Sequence, residues 1–135
     1  MSAPLGPHAI VPFLIEGLVE KGDQRGRTLA MPTANVAIAR TAACPPEGVY
    51  AGNVVLEDGS RHPAAVSLGR RPTFYAEGLE LCEAHLLDFS GDLYGQQVVV
   101  ELTHWIRGQL RFDDVDALIA QMREDCAVAL RLSAA

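Results

Sequence analysis

Apolar and polar positions alternate in short runs along most of the chain, then settle into spacings of three and four. The alternating part predicts strands over 11–19, 48–56, 61–68, 79–89 and 96–106, bounded by Gly, Pro or Asp turn signals. Pro12 cannot donate a ladder hydrogen bond, which places the first run at a sheet edge or a strand start. Glu57-Asp58-Gly59-Ser60 suits a hairpin turn, and the stretches from Gly69 to Pro72 and from Ser90 to Asp92 suit further turns. In the last third, Val115, Leu118, Ile119, Met122, Cys126, Ala129 and Leu130 form the stripe of an amphipathic helix, expected over about 113–132. Asp113, Asp114 and Asp116 cluster at its start, where carboxylates cap free N–H groups. Core packing is the expected role of the stripe. Antiparallel strands followed by one helix predict a mainly β fold, a small β-barrel covered by a C-terminal helix. The pattern leaves the number of strands and their closure open. Residues 1–10 are expected to form a flexible lead, and 11–135 a single domain.

Charge and cysteine usage narrow the partners. The formal net charge of −6 disfavours general nucleic-acid binding, which needs many Lys and Arg against phosphates. A small anion is still compatible where cations cluster, and Lys21, Arg25 and Arg27 make one such patch. Cys44, Cys82 and Cys126 lie far apart with no C-x-x-C pair, which argues for reduced thiols in a cytoplasmic protein. No apolar run approaches the ~20 residues of a membrane span, and the start lacks the features of a secretory signal. A monomer without membrane or nucleic-acid partners is expected.

Two stretches carry candidate chemistry. Gly26-Arg27-Thr28-Leu29-Ala30-Met31-Pro32-Thr33-Ala34-Asn35 ends a glycine-punctuated loop with an arginine and then offers two side-chain oxygens. Glycines let a backbone approach a phosphate, and Thr and Asn oxygens suit a hard cation such as Mg²⁺. A turn entering a strand would explain Pro32 to Asn35 equally well. In the run 79–89, period two places Cys82, Ala84 and Leu86 on one face and Glu83 and His85 on the other. Those two are either solvated positions or a base at the mouth of a barrel with a histidine neighbour.

Taken in order, the chain resembles the riboflavin kinase family, the flavokinase domain that also forms the C-terminal half of bacterial bifunctional FAD synthetases. The resemblance rests first on Gly17-x-Val19-x-x-Gly22, Gly26-Arg27-x-Leu29-x-x-Pro32-Thr33-Ala34-Asn35 and Pro46-x-Gly48-Val49-Tyr50-Ala51-Gly52. It continues through Ala65-Val66-Ser67-Leu68-Gly69-x-Arg71-Pro72-Thr73-Phe74 and Glu83-x-His85-Leu86-Leu87-Asp88-Phe89. Asp92-Leu93-Tyr94-Gly95, Ile106-Arg107 and Arg111-Phe112-Asp113 complete it. It implies a Greek-key β-barrel with a C-terminal helix and transfer of the ATP γ-phosphate to the riboflavin 5′-hydroxyl, giving FMN and ADP. By the same resemblance Thr33 and Asn35 hold Mg²⁺ or another divalent cation. Together with Gly22, Arg25, Gly26 and Arg27 they bind ATP. Glu83 is the implied general base, and His85 and Arg107 border the flavin or support its site.

The chain departs from the family pattern at Ala30, Met31, Ser67 and Gln109, which bears on affinity and substrate preference. No H-x-G-H motif or room for a nucleotidyltransferase domain is present in the sequence, so a stand-alone kinase is expected. The alternative from another class is a non-catalytic flavin- or nucleotide-binding module on the same barrel. A barrel that binds oligonucleotides is disfavoured by the negative charge and the few aromatic residues.

Overall fold

The computed structural model describes residues 6–20, 32–39, 44–69 and 79–133. The elements are β1 (His8–Leu18), β2 (Thr33–Ala39), β3 (Gly48–Val55), β4 (Arg61–Gly69), β5 (Leu79–Leu86), β6 (Gln97–Arg107) and α1 (Val115–Ser133). The six strands form one antiparallel sheet in the order β1-β6-β3-β4-β5-β2. β3, β4 and β5 are consecutive neighbours and β6 returns beside β3, which is the Greek-key arrangement. The two ends of the sheet meet at a single bridge between Glu20 and Asn35, where the Glu20 N–H donates to the Asn35 carbonyl at 2.6 Å. The sheet is therefore curled until its edges touch.

β1 is an edge strand, one of the settings open to Pro12, and a register shift between Ala9 and Phe13 brackets that proline. It begins at His8, ahead of the run predicted from residue 11. β2 is an additional strand that alternation did not predict. Its sequence, Thr-Ala-Asn-Val-Ala-Ile-Ala, has too little contrast between large apolar and polar side chains to show a period. The expected hairpin forms at 57–60: Gly59 takes φ +84°, and the Leu56 N–H donates to the Ser60 carbonyl at 2.9 Å.

Alternate residues fill the interior of the curl. Val36, Tyr50, Val54, Val66, Leu68, Cys82, Leu86, Val98, Val100 and Leu102 are among those packed there. Each large side chain so buried contributes roughly 1.5–3 kcal/mol. Burial pushes the Cys82 thiol up to about 12, which leaves it protonated and unreactive. An interior this apolar has no room for polar chemistry. The candidate polar side chains Asn35, Glu83 and His85 lie on the outer face.

That outer face carries a second apolar cluster, Val49, Ala51, Ala65 and Ile106, which packs against Ala129 of α1. The helix starts at Val115 rather than 113, with the Asp114 carboxylate accepting the Ala117 N–H at 2.7 Å as its cap. The predicted stripe divides. Ala129 and Cys126 pack on the sheet, but Val115 and Leu130 are exposed. Leu118 and Met122 line a cavity instead of the core. The expectation of a purely packing stripe is thus corrected, because the helix seats firmly on the sheet only toward its C-terminal half.

Candidate active site

Strand register gathers the candidate residues. Asn35 lies opposite Glu83, Glu83 opposite Ser67, Ser67 opposite Val49, and Val49 opposite Arg107. These five residues make one row across the outer face, over β2, β5, β4, β3 and β6. The neighbouring row runs from Thr33 through His85, Ala65 and Ala51 to His104. Thr33 and His85 also touch, with Thr33 Oγ1 3.2 Å from His85 Nδ1. His85 Nε2 lies 3.6 Å from Glu83 Oε1, close enough to interact electrostatically and too far for a hydrogen bond.

The expectation that Glu83 lies at a barrel mouth is corrected. Cys82, Ala84 and Leu86 face the interior, so alternation turns Glu83 and His85 outward, under the helix rather than inside the barrel. They are not solvated either, since His85 is 5% exposed and the Glu83 side chain 12%.

Glu83, His85 and Arg107 share a cavity of about 130 Å³ between the sheet and α1. Ser67, Gln109 and Asp125 add polar groups to its wall, and Leu110, Phe112, Leu118 and Met122 make an apolar side. With strands ~4.8 Å apart, Arg107 lies three strands, about 14 Å along the sheet, from Glu83. A ligand reaching both must be elongated, with a polar end near β5 and an apolar body under the helix.

Two oxygens beside Glu83 fit a cation. Asn35 is 6% exposed, and its buried Oδ1 has no hydrogen-bond partner among the described residues. An orphaned buried oxygen costs roughly 1–3 kcal/mol and is therefore rare without a ligand to meet it. Thr33 Oγ1, two residues away on the same face, is a second oxygen. Among the described residues, no group of three or more His, Cys, Asp or Glu is placed to hold a metal ion. A pair of neutral side-chain oxygens is chemically compatible with Mg²⁺, which takes few protein ligands and completes its shell with water and phosphate oxygens. Gly22, Arg25, Gly26 and Arg27, the predicted nucleotide loop, lie outside the described residues, as do Ala30 and Met31.

A sequence model of the flavokinase family, described as riboflavin kinase, matches residues 9–133. The chain belongs to the flavokinase family. Similar proteins include the bifunctional riboflavin kinase/FMN adenylyltransferases of Haemophilus influenzae, 41% identical over 119 residues, and of Bacillus subtilis, 35% identical over 122. These alignments cover 87% and 89% of this flavokinase-family chain, which spans 38% of either relative. A crystal structure from Streptococcus pneumoniae, described as a macrolide-efflux protein, is 34% identical with a TM-score of 0.74. It matches over 87% of this chain and 38% of its own length. Riboflavin kinase from Trypanosoma brucei superposes with a TM-score of 0.58 over 90% of this chain and 79% of its own, at 22% identity. That last likeness concerns the fold alone. Among the described residues no helix is long and apolar enough to cross a membrane.

Sequence reasoning missed Asp125, which is 4% exposed and lines the cavity. The available signal was its position between Met122 and Ala129 on the packed side of the helix, where an acid is out of place. It also missed that two of the departures touch each other: the Gln109 amide donates to Ser67 Oγ at 3.2 Å and to the Leu68 carbonyl at 3.0 Å.

Proposed function

We propose that this chain is an ATP-dependent riboflavin kinase that produces FMN and ADP. The observation that carries the reading is the union of two side-chain oxygens and the half-buried Glu83 carboxylate at the seam of the sheet, next to a half-apolar cleft. Family membership and relatives named as riboflavin kinases support the same reading. Thr33 and Asn35 would hold Mg²⁺, which when bound neutralises phosphate charge and orients the nucleotide. The residues of 22–27 would bind ATP. The isoalloxazine ring would lie against Phe112, Leu118 and Met122, with the ribityl chain running along the polar floor toward Glu83.

In this reading Glu83 accepts the proton of the 5′-hydroxyl as that oxygen forms a bond to the γ-phosphorus. The bond from that phosphorus to the bridging oxygen breaks, and ADP departs with the electron pair. Glu83 sits on a paired strand between β2 and β4, so its carboxylate is held before substrate arrives. His85 steadies it from the same face while bonded to Thr33. Phosphoryl transfer asks mainly for positioning and charge neutralisation, and a sparse set of groups suffices. Cytoplasmic, monomeric operation belongs to the same proposal.

The test is the purified chain with riboflavin, ATP and Mg²⁺, followed chromatographically. FMN and ADP should form in equal amounts. Riboflavin binding without FMN would instead indicate a non-catalytic flavin module. Thr33→Ala and Asn35→Ala should each raise the Mg²⁺ needed for half-maximal rate by roughly ten- to a hundredfold, the range for disturbed metal sites. Circular dichroism should show an intact fold, because the oxygen that Asn35→Ala removes has no hydrogen-bond partner among the described residues. Wild-type metal dependence in both variants would remove the metal assignment.

A further inference from the structure

Arg107, half-buried, and Asp125, buried, form a pair that the proposed chemistry does not use. Arg107 Nε and Nη2 donate to the two carboxylate oxygens of Asp125 at 2.9 and 2.6 Å, and Nη1 donates to the Gly108 carbonyl at 2.9 Å. The Gln121 amide, one turn earlier on α1, donates to Asp125 Oδ1 at 3.1 Å. The side chains of Arg107 and Asp125 are only 19% and 6% exposed, and both residues line the cavity.

Four features of this arrangement bear on a ligand. A bidentate carboxylate fixes the plane of the guanidinium, which a single contact would leave free to rotate. The guanidinium carries five N–H donors, of which three are engaged here, so donors are left to present to the cleft. The pair has no net charge, so those donors suit the carbonyl oxygens of a neutral ligand better than an anion. Asp125 is the helix member and Arg107 the sheet member. Their bond therefore also sets the distance between the apolar wall of α1 and the polar floor.

We infer that Asp125 is a positioning residue for the flavin ring. It aims Arg107 at the ring's carbonyl edge and holds α1 at the height at which Phe112, Leu118 and Met122 meet the ring's face. The inference rests on the riboflavin kinase reading. It predicts that losing Asp125 injures riboflavin binding selectively and spares the nucleotide, which the proposal places about 14 Å or more away along the sheet.

Two variants test it, with riboflavin affinity read by flavin fluorescence and ATP read as KM. Asp125→Asn should weaken riboflavin about tenfold or more, with ATP KM within about twofold of wild type. It should also lower the melting temperature, because Arg107 keeps a half-buried charge without its counterion. The double variant Arg107→Met/Asp125→Leu replaces the pair by apolar groups of similar volume and should recover the melting temperature. Its riboflavin affinity should stay about tenfold or more below wild type. Riboflavin affinity within about twofold of wild type in the double variant would make the pair merely structural and overturn the inference. Equal damage to riboflavin and ATP by Asp125→Asn would overturn it too, and that split decides if the double variant does not recover the fold. Failure of the wild-type chain to bind riboflavin overturns both the inference and the kinase reading. Riboflavin binding without FMN formation overturns the kinase reading alone.

Discussion

Glu83→Gln is expected to slow FMN formation by about 10²–10⁴-fold, the usual contribution of a general base. The amide keeps the size of the side chain and much of its hydrogen bonding but cannot take the 5′-hydroxyl proton. The site around it should persist, because Glu83 is held by the strands on both sides, opposite Asn35 and Ser67. Affinity for riboflavin and for ATP should stay within about threefold of wild type, since the lost interaction belongs to the transition state. Single-turnover FMN formation measured beside equilibrium riboflavin binding separates these quantities. A rate within a few-fold of wild type would show that Glu83 does not carry the proton. His85, the buried neighbour 3.6 Å away, would then be the group to replace next.

The second large effect concerns the fold that carries the site. Gly52 lies on β3 where its pairing with β6 shifts register, between Ala51 and Gly52. A Cβ there would overlap the Glu101 carbonyl oxygen, and it would stand 2.9 Å from the Glu101 carbonyl carbon and 3.2 Å from Leu102 Cα. All three atoms are backbone and cannot turn aside as a side chain would. Gly52→Ala should therefore push β3 from β6 at the centre of the sheet, at a cost of about 3 kcal/mol or more, the upper range for overpacking. Against a total stability of ~5–15 kcal/mol, that is a large loss. Gly108→Ala supplies the contrast, because nothing lies within 4 Å of its added carbon. It should move stability by no more than about 1 kcal/mol. Urea unfolding of both variants makes the comparison. A Gly52→Ala midpoint matching that of Gly108→Ala would mean that β3 and β6 are not paired in this register.

Local pattern was enough to determine five of the six described strands, the hairpin at 57–60 and the closing helix, and it narrowed the first strand to an edge or a start. Each of these depends on residues a few positions apart, whose period or turn chemistry is visible in any short window. The same alternation showed that Glu83 and His85 share a face. It could not say whether that face met solvent, because burial depends on what packs above it. β2 escaped notice because its small residues lack contrast. It was decided by tertiary pairing with β5 along its whole length. That pairing sets Asn35 opposite Glu83 and Thr33 opposite His85, turning four residues of two distant segments into one cluster.

Arg107 was legible as a motif residue, and its environment was not. The register shift between Val49 and Tyr50 leaves Ile106 as an extra residue beside Arg107, so two consecutive residues both reach the helix side. A strict period of two would have separated them. Asp125 belongs to no motif, and its partner is set only by the seating of the helix, which brings it to the guanidinium. The sequence by itself thus determined most of the elements, because those follow from short-range spacing, and its motifs named most of the candidate side chains by resemblance. Tertiary structure alone decided which of those side chains meet, because register, bulges and helix seating are settled by packing between segments far apart in the chain.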